Sequence, residues 1–486
     1  MRVKRRSIQV MATLAIFIAV LFVPSTRATA GERVLHSFAN DRVDGNNPYS
    51  SLIFDAAGNL YGTTFAGGAY NYGTVFELTP AGGGTWTEKV LHSFINDGTD
   101  GNEPYAGLIF DAAGNLYGTT WAGGTSGLGT VFELTPAAGG TWTEKVLHTF
   151  NNDGTDGYEP YAGLIFDAAG NLYGTTQGGG TAFIGTVFQL TPAGGGTWTE
   201  KVLHSFVGGT DGTAPFGSLI FDAAGNLYGT TSEGGPSNAG TVFELTPAGG
   251  GTWTEKVLHS FGSSTDGIDP VAGLIFDGAG NLYGTTSRGG TYNLGTAFEL
   301  TPAGGGTWTE RVTHSFGNGT DGANPQAGLI FDGVGNLYGT TFAGGSFGGG
   351  TVFRLNAQGE VLLQNFSGAD GVSPQGGMLL DTSGNLYGTT GQGGSSNVGT
   401  VFEITNTPAV AYQFVTVTPC RLIDTRQTGG PIQGGTFRTF PIPQEGGCNI
   451  PATATAYSLN VSVVPQGGLG YLTMWPAGVE IGRAHV

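Results

Sequence analysis

Short runs of hydrophobic and polar residues alternate along the chain, and the same alternation returns at a fixed interval. One stretch, FDAAGNLYGTT, occurs seven times, unchanged or with small edits, beginning at Phe54, Phe110, Phe166, Phe221, Phe276, Phe331 and Leu380. A second stretch, GTVFELTPAGGGTWTEKVLHSF, begins at Gly73 and has close copies further along. Together they define a repeat of 55–56 residues. Repetition at such a period indicates a repeat architecture rather than several unrelated domains.

Each repeat contains four segments with the alternation of β-strands, here named strands A to D. Strand A is GLIFD, strand B is NLYGTT, strand C is TVFELT and strand D is TWTEKVLHSF. They are rich in Val, Ile, Thr, Tyr, Phe and Trp, which favour strands. The linkers AAG and PAGGG contain glycine, as hairpin connections do. Beyond residue 30 the sequence predicts no helix.

The two ends of the repeat array fit each other. Residues 32–38, ERVLHSF, match strand D, and the array ends at GTVFEIT from Gly399, a strand C with no strand D after it. We therefore predict an all-β fold, a seven-bladed β-propeller over residues 31–405, in which the N-terminal strand completes the last blade. Closure removes the exposed strand edges that promote aggregation. A parallel β-helix is the less favoured alternative.

The first 30 residues have the pattern of a secretory signal peptide. A basic head from Arg2 to Arg6 precedes an apolar run and the ending Ala28-Thr29-Ala30, so cleavage is expected before Gly31. An uncleaved membrane anchor is the alternative. Cleavage takes the formal net charge from -18 to -23. So acidic a protein is a poor binder of nucleic acid, and we expect a secreted or cell-surface location.

The sequence changes character after Thr405. We predict a linker over residues 406–411 and a separate module over residues 412–480, in which Cys420 and Cys448 form a disulfide, with a metal site as the alternative. The module resembles a small β-sandwich appended to exported bacterial proteins, and both cysteines match its pattern. The ending IGRAHV is what a sequencing adapter encodes, so residues 481–486 are interpreted as an artefact and the module as incomplete.

The repeat itself resembles a known family. The pattern GNLYGTT-x-AGG followed by GTVFELTP is similar to the GloVer tandem repeat of exported bacterial proteins, over roughly residues 32–405. The resemblance implies an exported protein with a C-terminal surface anchor and no assigned biochemical activity. The core D-x-x-G-N-L-Y is also similar to NHL and SMP-30-type propellers, at the level of the fold only.

Histidine and aspartate recur at fixed repeat positions, which favours structural roles. Six of the seven histidines occupy one position in strand D, and one aspartate series opens the A–B turn. A second series lies between strands D and A, in acidic, glycine-rich loops of a kind that can hold calcium. The calcium candidates are Asp100, Asp156, Asp211, Asp266 and Asp321. No calcium-loop motif supports them, and no other cofactor is predicted.

Variation between the copies concentrates in the D–A and B–C loops, which lie on one face of a propeller because strands alternate in direction. The residues after the D–A aspartate-glycine pair read NNPY, NEPY, YEPY and TAPF in the first four repeats. Aromatic side chains in the B–C loops suit stacking on sugars or anchoring of a protein. The candidate ligand-binding residues are Phe65, Tyr70, Tyr72, Trp121, Phe183, Tyr292 and Phe342. The alternative is a purely structural role, in which these rings cover the ends of the blades and bind no ligand.

No residue set of the repeats has the pattern of a catalytic centre. The sequence therefore favours a binding or scaffolding module for extracellular carbohydrate or protein, acting through the D–A/B–C face and not as an enzyme. The alternatives are a propeller hydrolase or lyase with carboxylates in the central channel, and a calcium-dependent adhesin.

Overall fold

A computed structural model describes residues 31–39, 41–262 and 265–405 of the chain. These residues form seven antiparallel sheets of four strands each, the blades of a β-propeller. The all-β fold class and the seven blades predicted from the repeats are thereby confirmed. The predicted signal peptide, the C-terminal module, its cysteine pair and the terminal hexapeptide lie outside the described residues.

Every blade has the strand order A-B-C-D. Strand A is Ile53–Phe54, Ile109–Phe110, Ile165–Phe166, Ile220–Phe221, Ile275–Phe276, Ile330–Phe331 and Leu379–Leu380. Strand B is Leu60–Thr64, Leu116–Thr120, Leu172–Thr176, Leu227–Thr231, Leu282–Thr286, Leu337–Thr341 and Leu386–Thr390. Strand C is Thr74–Pro80, Thr130–Pro136, Thr186–Ala193, Thr241–Ala248, Thr296–Ala303, Thr351–Asn356 and Thr400–Thr405. Strand D of blades 1 to 6 is Trp86–Ser93, Trp142–Thr149, Thr197–Ser205, Thr252–Ser260, Thr307–Ser315 and Gly359–Asn365, and that of blade 7 is Gly31–Ser37.

Strand A is shorter than the sequence predicts. In each blade only two residues of strand A pair with strand B, whereas the pattern GLIFD predicted a strand of five residues. The backbone just before strand A instead lies against the neighbouring blade: a Cβ placed on Gly107 would be 3.1 Å from the carbonyl oxygen of Ser51. The chain there pairs with no strand because it lines the centre of the ring.

The D–A and B–C loops pair with each other through short two-residue strands. These pairs are Gly45–Asn46 with Ala66–Gly67, Gly101–Asn102 with Ala122–Gly123, Gly157–Tyr158 with Gly178–Gly179, Gly212–Thr213 with Glu233–Gly234, Gly267–Ile268 with Arg288–Gly289, and Gly322–Ala323 with Ala343–Gly344. In blade 7 a single bridge joins Val372 and Gln392. The two variable loops therefore lie on the same face of the ring.

The C–D hairpins of the first five blades contain one turn of 3-10 helix. These turns are Gly82–Gly84, Ala138–Gly140, Gly194–Gly196, Gly249–Gly251 and Gly304–Gly306. The middle residue of the first turn, Gly83, has a φ of 77°, which glycine adopts readily. Blade 6 lacks the turn because its strands C and D are joined by only two residues, as the shorter sequence NAQGEV predicts.

The ring closes through the N-terminal strand. Strand Gly31–Ser37 pairs antiparallel with strand Thr400–Thr405, placing Arg33 opposite Glu403, and these two side chains form an ion pair. A threonine in strand B of each blade also donates to a carbonyl of the next blade. Thr389 of blade 7 completes this circuit by donating to Ser50 of blade 1, at 2.8 Å. The predicted pairing of first and last strands is therefore confirmed.

The hydrophobic core lies between neighbouring blades. One cluster joins Leu35 of the N-terminal strand, and Phe38 directly after that strand, to Phe76 of blade 1 and Val401 of blade 7. The rings of Phe38 and Phe76 meet edge to face at 5.2 Å between centroids. Burial of this apolar area holds the first and last blades together as it holds every other pair.

Candidate functional site

The backbone of each D–A loop is held by hydrogen bonds to two neighbouring B–C loops. In blade 1, the N–H of Asn47 donates to the carbonyl of Val398 at 2.7 Å, and its own carbonyl accepts from the N–H of Phe65 at 3.0 Å. The matching residues all have positive φ: Asn47, Glu103, Glu159, Ala214, Asp269, Asn324 and Ser373. Asn and Asp tolerate this conformation better than the other residue types here, so the blades with Glu103, Glu159, Ala214 and Ser373 store strain. Such strain concentrates at functional sites.

A proline follows each of these positive-φ residues, and the next residue lines the central channel. The seven channel-lining residues are Tyr49, Tyr105, Tyr161, Phe216, Val271, Gln326 and Gln375. They surround a cavity of about 340 Å³ at the mouth on the D–A/B–C face. These side chains differ between blades, whereas the backbone that positions them is the same in all seven. The lining of the channel is therefore asymmetric although the backbone has sevenfold pseudosymmetry.

The aromatic residues occupy four consecutive blades and contact one another as an arc. The rings of Tyr49 and Tyr105 stack with 5.2 Å between their centroids and an interplanar angle of 14°. The rings of Tyr105 and Tyr161 stack with a centroid distance of 4.3 Å and an interplanar angle of 28°. Phe216 meets Tyr161 edge to face at 5.0 Å. Phe65, from a B–C loop, packs against Tyr105 at 4.9 Å and supports the arc. We call Tyr49, Tyr105, Tyr161 and Phe216 the aromatic arc.

Two amide side chains lie across the channel from the arc. Gln375 donates through Nε2 to Oε1 of Gln326 at 3.0 Å. The Oε1 atom of Gln375 is buried and has no hydrogen-bond partner among the described residues. A buried acceptor without a partner is costly, so the amide of Gln375 is only partly satisfied by its bond to Gln326.

Small residues line the channel two positions after the large ones. They are Ser51, Gly107, Gly163, Ser218, Gly273, Gly328 and Gly377. The Ser51 hydroxyl accepts from the N–H of Gly377 at 2.8 Å, and the Ser218 hydroxyl accepts from the N–H of Gly163 at 3.1 Å. These bonds tie neighbouring blades together and keep the floor of the cavity polar.

The site is electrically neutral. None of the described residues that line the cavity carries a charged side chain. Burial raises the pKa of Tyr49, and the nearby Tyr105 raises it further. Burial likewise raises the pKa of Tyr105 and of Tyr161. The phenols therefore remain protonated at neutral pH, as donors and acceptors of hydrogen bonds.

The structure separates the predicted ligand-binding aromatics into two zones of the same face. Phe65 lies at the channel mouth, and Trp121 and Phe342 are half-buried at the matching positions of blades 2 and 6. Tyr70, Phe183 and Tyr292 lie away from the channel and are 53%, 51% and 46% exposed. Tyr72 packs against the core between blades 1 and 2. The seven residues therefore do not form one cluster, and their binding role stays a prediction.

Sequence reasoning missed the aromatic arc itself, although its signal was visible. The varying tetrapeptides NNPY, NEPY, YEPY and TAPF end on the four arc residues. What the sequence could not supply was their position, because a loop end that lines the channel is indistinguishable in sequence from one that covers a blade.

The five calcium candidates lie near the circumference and serve as hydrogen-bond acceptors of the protein itself. In each of them, both carboxylate oxygens accept backbone N–H groups; Asp100, for example, accepts from Ile95 at 3.0 Å and from Gly101 at 2.7 Å. Oδ2 of Asp100 also bonds Nε2 of His92 at 3.1 Å. These contacts explain the recurring His and Asp positions, while calcium binding stays a prediction.

Solved structures resembling the chain are distant. One is described as the extracellular domain of a one-component system from B. thetaiotaomicron, with 15% identity and a TM-score of 0.48, covering 77% of this chain and 42% of that one. A protein of unknown function from Dyadobacter fermentans has 14% identity and a TM-score of 0.39, covering 77% and 99%. A protein described as a glucose dehydrogenase from Thermus thermophilus has 18% identity and a TM-score of 0.36, covering 61% and 95%. The chain thus spans about two fifths of the first of these proteins.

A search of curated proteins found no match to the sequence. Within the described residues, no helix has the length and hydrophobicity to cross a membrane.

The repeats themselves are recognised by a family model. The Gloeobacter/Verrucomicrobia repeat matches residues 21–164, 87–278 and 225–436, overlapping segments that together extend through the whole propeller. The matched region includes the strand that closes the ring and every residue of the aromatic arc. By its sequence and its repeated blades, the chain is a member of the Gloeobacter/Verrucomicrobia repeat family.

Proposed function

We propose that this propeller is a binding module of an exported protein and that it holds a neutral carbohydrate at the channel mouth. The observation that carries the proposal is the aromatic arc, with the two amides across the channel. The signal-peptide pattern of the first 30 residues and the acidic net charge of -18 support an extracellular setting.

The chemistry of the cavity fits a sugar better than it fits other small ligands. Aromatic rings offer apolar surface to the C–H groups of a pyranose, while phenol, serine and amide groups can bond its hydroxyls. A nucleotide or an acidic peptide would need cations, which the described lining does not supply. The hydrolase alternative needs a pair of carboxylates beside the ligand, and the described lining supplies none of these either.

The surrounding face supports a second candidate, a protein partner. Tyr70, Phe183, Tyr292 and Phe347 are exposed in the B–C loops, away from the channel. Exposed aromatics of this kind anchor protein interfaces. This candidate uses other residues than the arc does, so variants can separate the two.

The test is glycan-array binding by the recombinant chain from residue 31, followed by affinity measurement for the best ligand. We expect Tyr105→Ala and Tyr161→Ala each to weaken binding about tenfold or more, since loss of a central aromatic contact costs above 1 kcal/mol. Tyr292→Ala, the same substitution in the outer zone of the same face, is the matched control and is expected to retain affinity.

Two results would count against the carbohydrate proposal. One is a folded chain that binds no glycan. The other is affinity that depends on Tyr292 and not on Tyr105, which would favour the protein-binding candidate. Melting temperatures of all variants show whether any loss of binding reflects loss of the fold.

A further inference from the structure

Seven clusters of polar side chains lie between the outer strands of neighbouring blades. Six of them combine a strand-D histidine, the D–A aspartate and a strand-D glutamate from the next blade. In the seventh, Gln364 takes the place of histidine and donates to Asp370 at 2.8 Å. The glutamates share one further property: an Oε1 atom that is buried and has no hydrogen-bond partner among the described residues.

One cluster, between blades 5 and 6, differs from the others in geometry. Its members are His314 of strand Thr307–Ser315, Asp321 of the following loop and Glu360 of strand Gly359–Asn365. Nε2 of His314 lies 3.0 Å from Oδ2 of Asp321. One potential ligand atom from each of the three side chains lies within 4.8 Å of the other two, an arrangement found only here among the described residues.

The C–D hairpin of blade 6 is also shorter than those of the first five blades. Glu360 follows a two-residue connection, whereas its counterpart Glu144 follows the longer hairpin with a 3-10 turn. In the cluster of blades 5 and 6, ligand atoms of Glu360 and Asp321 lie within 4.8 Å of each other and of His314, an approach that the cluster of Glu144 does not show. The shorter connection therefore coincides with a close approach of two carboxyl groups beside an imidazole.

Two carboxyl groups this close to each other favour a proton or a cation between them. A divalent cation would neutralise both carboxylates and would also give the unpartnered Glu360 Oε1 atom a ligand.

We propose that His314, Asp321 and Glu360 form a binding site for a divalent transition-metal ion such as Zn²⁺. One imidazole nitrogen and two carboxylate oxygens are a ligand set that zinc accepts, with a fourth position left for water. Calcium, by contrast, takes oxygen ligands and six to eight of them. In tetrahedral zinc the ligand atoms are roughly 3.4 Å apart, so small side-chain rotations close the site. The bound ion would join strand D of blade 5 to strand D of blade 6.

The test is Zn²⁺ binding by the full chain from residue 31, without an affinity tag, at pH 7.5 after chelator treatment. Isothermal titration is expected to show one ion per chain, together with a rise in melting temperature. His314→Gln and Glu360→Gln are each expected to weaken this binding by about 100-fold or more, since even residues outside the ligand shell contribute 10- to 100-fold. His314→Gln suits the fold, because the chain itself uses Gln364 at this position.

The chain offers matched controls. His92→Gln and Glu144→Gln change the equivalent cluster between blades 1 and 2 and are expected to leave Zn²⁺ affinity unchanged. Replacing Cys420 and Cys448 by serine excludes binding by thiolates and is likewise expected to retain the site. Substitution of Co²⁺ gives a visible spectrum that reports direct coordination and should disappear in Glu360→Gln.

Three outcomes would overturn the proposal: no binding by the folded chain, binding that survives both His314→Gln and Glu360→Gln, or six equal sites per chain. The first would mean that a proton alone satisfies the two carboxyl groups. The last would mean that the His–Asp pair, rather than the contact made by Glu360, determines metal binding.

Discussion

At the scale of single residues, the seven blades provide an internal comparison, because one backbone position is occupied by different side chains. In the B–C loops, one such position has positive φ in every blade. Its occupants are Asn71, Gly127, Phe183, Asn238, Asn293, Gly348 and Asn397. Glycine and asparagine suit this conformation, and phenylalanine does not. Phe183 is therefore strained and exposed at once, which is the combination expected of a residue kept for an interaction rather than for folding.

Replacing Phe183 by asparagine should stabilise the protein by about 1 kcal/mol, since a left-handed conformation costs a bulky residue that much. Thermal and denaturant unfolding measure the change. The control is Phe347→Asn, at an exposed loop position without positive φ. If Phe183→Asn leaves stability unchanged or lowers it, the strain argument is wrong.

At the scale of strands, the blade depends on close approach between strands B and C. Strand B of every blade contains a glycine that faces a buried phenylalanine of strand C. A Cβ placed on Gly174 would lie 2.7 Å from Cζ of Phe188 and 3.0 Å from Cδ2 of Leu164. The glycine of each LYGTT segment is therefore required for packing of strand B against the phenylalanine of strand C.

Gly174→Ala should destabilise the propeller by about 1–3 kcal/mol, as overpacking of a core does. Gly194→Ala is the matched control, because a Cβ there meets no atom within 4 Å and its effect should stay within about 0.5 kcal/mol. Equal effects of the two substitutions, measured by urea unfolding, would show that strand packing does not explain the conserved spacing within this chain.

Strand periodicity predicted the blades well because alternation and glycine-containing turns are local signals. The fold class, the number of blades and the short C–D hairpin of blade 6 all followed from the repeats. The length of strand A did not, because the chain around Ser51 contacts the neighbouring blade instead of strand B. The aromatic arc was missed for the same reason: Tyr49, Tyr105 and Tyr161 are separated in sequence and meet only when the ring closes.

At the scale of the whole molecule, buried acids lie at every junction between blades. Burial and neighbouring aspartates raise the pKa of Glu88, Glu144 and Glu200 to about 7. In the first of these clusters, Glu88 is close to both Asp44 and His36 of the same junction. Each junction therefore takes up a proton on folding that the unfolded chain would release at neutral pH.

Stability should consequently fall as pH rises from about 4.5 to about 7. Between these pH values the glutamates are protonated in the native state and ionised in the unfolded chain. Their contribution to the free energy of unfolding is therefore complete below their unfolded pKa, and it is lost as the pH rises through their folded pKa. The melting temperature, measured with chelator present, should be higher at pH 5 than at pH 8. Combining Glu88→Gln, Glu144→Gln and Glu200→Gln should flatten the profile. A melting temperature that increases from pH 5 to pH 8 would contradict the assignment.

The blade junctions, the aromatic arc and the variable face all require strand Gly31–Ser37 to complete the seventh blade, and a cross-link tests this directly. Arg33 and Glu403 are opposite each other in the pair of strands that closes the ring. Opposed residues of neighbouring antiparallel strands have Cβ atoms about 4.5–5.5 Å apart. Cysteines at these two positions can therefore form a disulfide after a small adjustment of the backbone. In a chain with Cys420 and Cys448 replaced by serine, Arg33→Cys combined with Glu403→Cys should form an intramolecular disulfide in most molecules, identified by mass spectrometry of non-reduced peptides. Arg33→Cys combined with Glu244→Cys, which uses the matching strand-C position of blade 4, should not. Absence of the first cross-link in folded protein, or equal yield of both, would contradict the closed ring.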